Sequence, residues 1–180
     1  MPSITLRPIS GTGSNWTNIQ NMYDNNNNTS ASVETTSNNY YNRTATLNFD
    51  TSVIPDGSTI NSATLHVWSR VSDGSSVEVN VDYNGAIQVF RASPWGNNSE
   101  RTSDITARMN SSTLKTLVVT AYNSSNIKRT TYIHEIYIEV DYTEGTGIKK
   151  NIHLGDTLIK KVYLGSTSIK SVYIGDKKVI

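Results

Sequence analysis

Cysteine is absent from the 180 residues, which excludes disulfides, zinc-thiolate centres and thiol nucleophiles. No stretch approaches the roughly 18 consecutive apolar residues that a membrane-crossing helix needs. The opening MPSITLRPIS lacks the basic-then-apolar order of a secretory leader. These absences predict a chain made in the cytoplasm, without a signal peptide and without a membrane partner. Histidine is scarce too: His66, His134 and His153 fall on separate predicted strands. His134-Glu135 runs on into Ile136, Tyr137 and Ile138, so the helical two-histidine zinc motif is missing. There is no nucleophile elbow, phosphate-cradling glycine loop or lysine-bearing nucleotide motif. The expectation is therefore no catalytic residue, no metal, no cofactor and no enzyme. Glu78 and Asp82 share one strand face, but acids of period two on an outward face read as solvated surface and not as a glycosidase pair.

Alternation of period two is abundant, and no segment carries a helical period. Tyr41, Ala45, Leu47 and Phe49 alternate with polar neighbours, as do Ala63, Leu65 and Val67, and Val77, Val79 and Val81. Further strands are predicted at Ile4 to Ile9, Ile87 to Phe90, Leu114 to Tyr122 and Thr131 to Tyr142, the last with Ile136, Ile138, Val140 and Tyr142 inward. Turns separate them at Pro55-Asp56-Gly57, Asp73-Gly74-Ser75, Asn84-Gly85, Pro94 to Asn98 and Asn123 to Asn126. About eight half-buried strands with this spacing predict an all-β fold. The expected body is an antiparallel jelly-roll-like β-sandwich over residues 1–146.

Two features of the body bear on binding. Residues 25–39, NNNNTSASVETTSNN, hold few apolar side chains and read as a solvated loop or sheet edge. Asp24, Asn26 and Asn28 match the opening of a calcium loop, but Thr29 stands where the turn wants glycine and Thr35 where the bidentate glutamate belongs. Sugar sites on β-sandwiches stack pyranose rings on exposed aromatics. Trp68, on the polar face of its strand, Trp95, in a Pro-Trp-Gly loop, and Trp16 are the candidates for glycan binding.

The last thirty residues are one decad written three times: NIHLGDTLIK, KVYLGSTSIK and SVYIGDKKVI. Gly155-Asp156, Gly165-Ser166 and Gly175-Asp176 are pairs suited to two-residue hairpin turns, since glycine accepts a positive φ. That choice sets Ile152 opposite Ile159, Val162 opposite Ile169 and Val172 opposite Val179, in a small C-terminal β-meander of ten-residue repeats over residues 147–180. The apolar residues divide between both faces, and a thin sheet of this kind is marginal by itself. Ile152, Leu154, Ile159, Val162, Tyr163, Leu164, Ile169, Val172, Tyr173 and Ile174 are accordingly the predicted association interface. Charge separates with the same boundary: residues 1–146 hold nine basic and thirteen acidic residues, a net −4, and residues 147–180 hold seven lysines against two aspartates, a net +5. The tail has no arginine, and lysine commonly guards strand edges, so nucleic acid is not an expected partner.

The stretch 42–68, NRTATLNFDTSVIPDGSTINSATLHVW, resembles the strand, Ile-Pro-x-Gly-x-x-Ile turn, strand pattern of jelly-roll modules in bacteriophage virion proteins and some bacterial surface proteins. YIHEIYIEVDYT (132–143) resembles their closing strand, and IKKVYLGSTSIKSVYIGDKKVI (159–180) is similar to hairpin repeats that end phage head and tail accessory proteins. The resemblance implies a non-enzymatic virion structural protein, a capsid-associated decoration protein or head fibre present in many copies. Its partners would be capsid or tail proteins and copies of itself; the two-faced apolar tail sheet is compatible with a homo-oligomer such as a trimer. The alternative it leaves open is a tail-fibre or receptor-binding module that recognises a host surface carbohydrate. His153 departs from the tyrosine of the other two decads.

Overall fold

The computed structural model describes residues 1–35, 43–72, 77–93, 97–124 and 127–144, together with the backbone of short paired segments between 152 and 178. The chain divides into two compact units, Met1–Glu144 and Gly145–Ile180. The first is a sandwich of two antiparallel five-stranded sheets.

The strands of the body are β1 (Ser3–Leu6), β2 (Pro8–Gly13), β3 (Ala31–Thr35), β4 (Arg43–Phe49), β5 (Thr59–Val71), β6 (Val77–Tyr83), β7 (Ile87–Ala92), β8 (Ser99–Asp104), β9 (Thr116–Asn123) and β10 (Arg129–Thr143). The front sheet runs β1-β10-β5-β8, with β3 pairing further along the same edge of β10 as β1. The back sheet runs β2-β4-β9-β6-β7. The predicted strand at Ile4 to Ile9 is thus two strands, one in each sheet. Arg7 is the residue at which the chain crosses over, because Pro8 has no N–H to continue a ladder.

Alternation builds the core from both sheets. Leu65, Val67, Ile136, Ile138 and Val140 of the front sheet and Leu47, Val79, Val81, Leu117 and Val119 of the back sheet are fully buried. In β10 the inward set changes parity, with Thr131 and Ile133 buried before Ile136, Ile138 and Val140. A β-bulge between Ile133 and Glu135 accounts for this: Ser69 and Trp68 of β5 face Ile133 and Glu135, which leaves His134 as the extra residue.

The asparagine-rich segment supplies the sheet edge that was one of its two expected readings, but that edge is partly buried and not solvated throughout. Residues 31–35 form β3 on the edge of the front sheet, with Ala31, Val33 and Thr35 buried. Three small or β-branched residues at alternate positions suffice at an edge that β10 supports. Ahead of β3, Asp24 and Asn26 turn their side-chain oxygens onto the N–H groups of Asn26 and Asn28, 3.0 and 3.1 Å away, and Thr29 Oγ1 donates to Asp24 Oδ2 at 2.6 Å. The helical turn that periodicity does not foretell, α1 (Thr106–Ser111), is tied to β5 by Asn110, whose amide donates to the Ile60 carbonyl at 2.9 Å.

Each decad that can be described forms a hairpin at the predicted register. β11 (Ile152–Leu154) pairs β12 (Thr157–Ile159) with Ile152 opposite Ile159. β13 (Tyr163–Leu164) pairs β14 (Thr167–Ser168), and β15 (Tyr173–Ile174) pairs β16 (Lys177–Lys178). Gly155, Gly165 and Gly175, with Val162, Ile169 and Val172, lie outside the described residues, as do the links from one hairpin to the next.

The Asn84-Gly85 hairpin between β6 and β7 is as expected, with φ of 50° and 71° and Ala86 N–H donating to the Tyr83 carbonyl at 3.2 Å. Asn84 also accepts from the N–H groups of Lys115 and Thr116 at 2.8 and 3.1 Å and donates to the Thr113 carbonyl at 3.0 Å, which fastens the turn to the start of β9. A Cβ on Gly85 would meet only Val118, at 3.5 Å, so Gly85→Ala bears the left-handed backbone cost alone, about 1 kcal/mol. Asn84→Ala loses three side-chain hydrogen bonds as well and is expected to cost roughly 2 kcal/mol or more in urea denaturation. Equal losses for the two variants would contradict this role of the Asn84 side chain.

Candidate functional site

The outward residues of β5 are a ladder of chemistry: Ser62, Thr64, His66, Trp68 and Arg70. Pairing brings Asp141, Glu139, Tyr137, Glu135 and Tyr132 of β10 beside them on one flank. On the other flank β8 sets Asp104, Thr102 and Glu100 against Thr64, His66 and Trp68.

Glu100 is the centre of this face. Its Oε1 accepts from His66 Nδ1 at 2.7 Å, from Trp68 Nε1 at 3.0 Å and from the Tyr137 hydroxyl at 3.0 Å. Burial pushes the Glu100 carboxyl up, but the donors from His66, Tyr137 and Trp68 overcome it and hold the group below the ordinary carboxylate value. A carboxylate only accepts, so this contact places the His66 ring proton on Nδ1. Tyr137 is moved the opposite way, its phenol raised first by burial and then by its bond to Glu100. The His66 and Tyr137 rings stack with centroids 4.5 Å apart and planes 6° from parallel, and the Arg7 guanidinium lies 4.9 Å from the Tyr137 ring centre. All three donors converge on one oxygen of Glu100, and among the described residues Oε2 takes none.

Beyond His66 the face opens into a polar hollow of about 290 Å³, lined by Ser3, Ile4, Thr5, Ser62, Thr64, Glu139 and Asp141. Glu139 bridges the two regions, with Oε2 3.5 Å from His66 Nε2. On the other side of the cluster, Glu135 is 2% exposed and held by the Arg7 guanidinium and the Asn26 N–H, the latter at 2.7 Å. Burial raises its carboxyl in spite of Arg7 and Asn26. His134 Nδ1 donates to the Asn27 carbonyl at 2.9 Å, and burial lowers its basicity. The His134-Glu135 pair therefore anchors the asparagine-rich loop to the bulge. Among the described residues, no group of three His, Asp or Glu side chains is placed to hold a metal ion.

The tryptophans separate. Trp68 is half-buried on this outer face, as its strand position predicts. Trp16 is 8% exposed within the core, and its Nε1 points at the Arg43 carbonyl at 3.4 Å. This is a correction: a ring enclosed by the sandwich offers no face to a sugar, and Trp16 leaves the candidate glycan site. Trp95 lies outside the described residues. The residues that sequence reading missed are His66, Tyr137 and Glu100. The spacing of His66 and Trp68 on one strand face was a usable signal, and Glu100 had none, because SERTSD lacks the apolar alternation that marks a strand.

A larger hollow, about 510 Å³, lies on the outer face of the back sheet. Its side chains close on one another, Arg91 to Glu78 at 2.7 Å and Gln88 to Asn80 at 2.9 Å. Glu78 and Asp82 both line this solvated face, as their spacing indicates.

No family model and no curated protein matches the chain. Among solved structures, the chain is similar to one described as "CBM4 structure and function", with a TM-score of 0.41 and 16% identity over 77% of this chain and 94% of that one. It is similar also to "CpGH89CBM32-6 produced by Clostridium perfringens", with a TM-score of 0.36 and 14% identity over 72% and 90% of the two chains. Neither likeness bears on what this chain binds.

The lowered Glu100 carboxyl has a consequence for stability. Its contribution is complete above the ordinary value of 4.5 and is lost as pH falls through the lower folded value. Urea denaturation across that range should show stability falling with acid, and Glu100→Gln should flatten the fall. An unchanged pH profile in the variant would contradict the three-donor arrangement.

Proposed function

We propose that the sandwich is a non-catalytic carbohydrate-recognition module whose binding surface is the outer face of the front sheet. The observation that carries this reading is a carboxylate fixed by Trp68, His66 and Tyr137 beside a hollow lined with hydroxyls and carboxylates. Sugar recognition asks for this combination. Ring faces supply the apolar contact, and acceptors already oriented by other bonds take the sugar hydroxyls at little ordering cost.

Hydrolysis is the weaker reading of the same residues. A glycosidase needs a raised carboxyl exposed to the glycosidic oxygen, with a second carboxylate across the bond. Glu135 is raised, but it is buried under Arg7 and Asn26 and reaches no open surface. Glu100, open on one side, is held ionised and is no proton donor.

The decads supply a second part of the proposal. An isolated two-stranded hairpin is marginal in water, and three of them in succession favour association of copies through the tail. Together with the resemblance of residues 42–68, 132–143 and 159–180, this supports a virion protein in which a receptor-binding body is arrayed by its tail. Weak sugar contacts then gain strength from multiplicity. Capsid decoration, the other virion role, makes no demand for a face of this kind.

Trp68→Ala should weaken binding to any glycan captured on an array about tenfold or more, which is roughly 1.4 kcal/mol, while circular dichroism stays that of the parent. Unaltered binding would remove the front face from the site. Deletion of residues 145–180 should convert the protein from an oligomer to a folded monomer in light scattering. Oligomers that persist without the tail would contradict its associating role.

A further inference from the structure

We infer that the glycan held on this face is anionic, and that Arg70 receives its carboxylate or phosphate oxygens. The inference rests on the outer face of the front sheet being the sugar site, and it adds the charge and direction of the ligand.

Arg70 stands two residues from Trp68, on the same side of β5, and opposite Tyr132 of β10. Its guanidinium carbon lies 3.8 Å from the centre of the Tyr132 ring. Stacking on an aromatic face fixes the plane of the fork and leaves the edge donors to a ligand, which suits paired oxygens of a carboxylate or phosphate. Two carboxylates of the adjoining strands β10 and β3 are engaged elsewhere. Glu135, opposite Trp68, is held by Arg7 and the Asn26 N–H. Glu34, on β3 beyond Thr130, pairs with Lys128 at 2.6 Å. Among the described residues Arg70 has no ion pair, and its charge reaches His134, whose basicity burial lowers first and Arg70 lowers further.

Position gives the ligand a direction. From Ser62 to Arg70 the face extends eight residues along one strand, roughly 26 Å at about 3.3 Å per residue. Glu139 and Asp141 mark one end and Arg70 the other, with His66, Tyr137 and Trp68 between. A neutral sugar could take single hydrogen bonds from the cationic end, whereas an oxyanion adds charge and a paired acceptor that match the fork. A chain bearing an acid group fits, with neutral rings toward the hollow and the acid toward Tyr132, and the carboxylates at the far end disfavour the reversed placement.

The test uses the full chain on an array that contains neutral, carboxylate-bearing and phosphate-bearing glycans, followed by calorimetry with 3′-sialyllactose against lactose, trigalacturonic acid against a neutral trisaccharide, and a glycerol-phosphate oligomer. The expected result is at least one acidic probe binding about tenfold more tightly than its neutral counterpart. That preference should weaken several-fold as salt rises, vanish in Arg70→Gln and be partly kept in Arg70→Lys. The carboxylate and phosphate arms tell which oxyanion is preferred. Neutral probes binding equally well through Trp68, or a preference that survives Arg70→Gln, would overturn the inference and leave the sugar-binding reading standing. Binding to no member of the array would overturn both.

Discussion

One extra residue in the longest strand governs the front sheet. Were β10 regular, the parity that buries Thr131 and Ile133 would turn Ile136, Ile138 and Val140 toward solvent. The bulge at His134 restores the inward set, and it does so with a polar pair that would otherwise have no place so close to the core. His134 and Glu135 reach instead to the loop at Asn26 and Asn27 and to Arg7, where the chain passes from one sheet to the other. The same shift sets Glu135 opposite Trp68 and Tyr137 opposite His66, and so fixes the aromatic surface on which the functional reading stands.

Much of the body was legible from alternation alone, because Val77, Val79 and Val81 or Ala63, Leu65 and Val67 leave one arrangement that buries them. The asparagine-rich stretch was harder to read. Asparagine serves there and nearby in two capacities, as a residue that tolerates positive φ at Asn15, Asn18 and Asn25, and as a short side chain that returns to its own backbone at Asn26. Neither leaves a hydrophobic pattern, so residues 31–35 could be read only as loop or sheet edge, without bounds for β3. The bulge was equally silent, since a run of Ile133, Ile136, Ile138 and Val140 shows a change of parity only once its partner strand is known.

The candidate site was half legible for a related reason. Trp68 announces itself by standing on the polar side of an alternating strand, and the same logic sorts Trp16 only after burial is known. Glu100 depends on β8 lying against β5, a pairing between residues thirty to forty positions apart in which β8 contributes no apolar residue. In the tail the case reverses. The decad register followed from Gly-Asp and Gly-Ser alone, because a two-residue turn fixes every opposing pair.

A module that holds a ligand by ring faces and an oriented carboxylate needs its site rigid before the ligand arrives, and the hydrogen bonds at Glu100 provide that rigidity within a sheet already fixed by its core. The most direct test is to titrate the full chain with a glycan selected on an array while following the indole N–H signals by NMR. Binding at the front face would give a saturable shift of the Trp68 indole and of the amides of His66, Glu100 and Tyr137, with the Trp16 indole unmoved. Shifts confined to the back sheet around Tyr122 and Arg91, or to the decads, would contradict it.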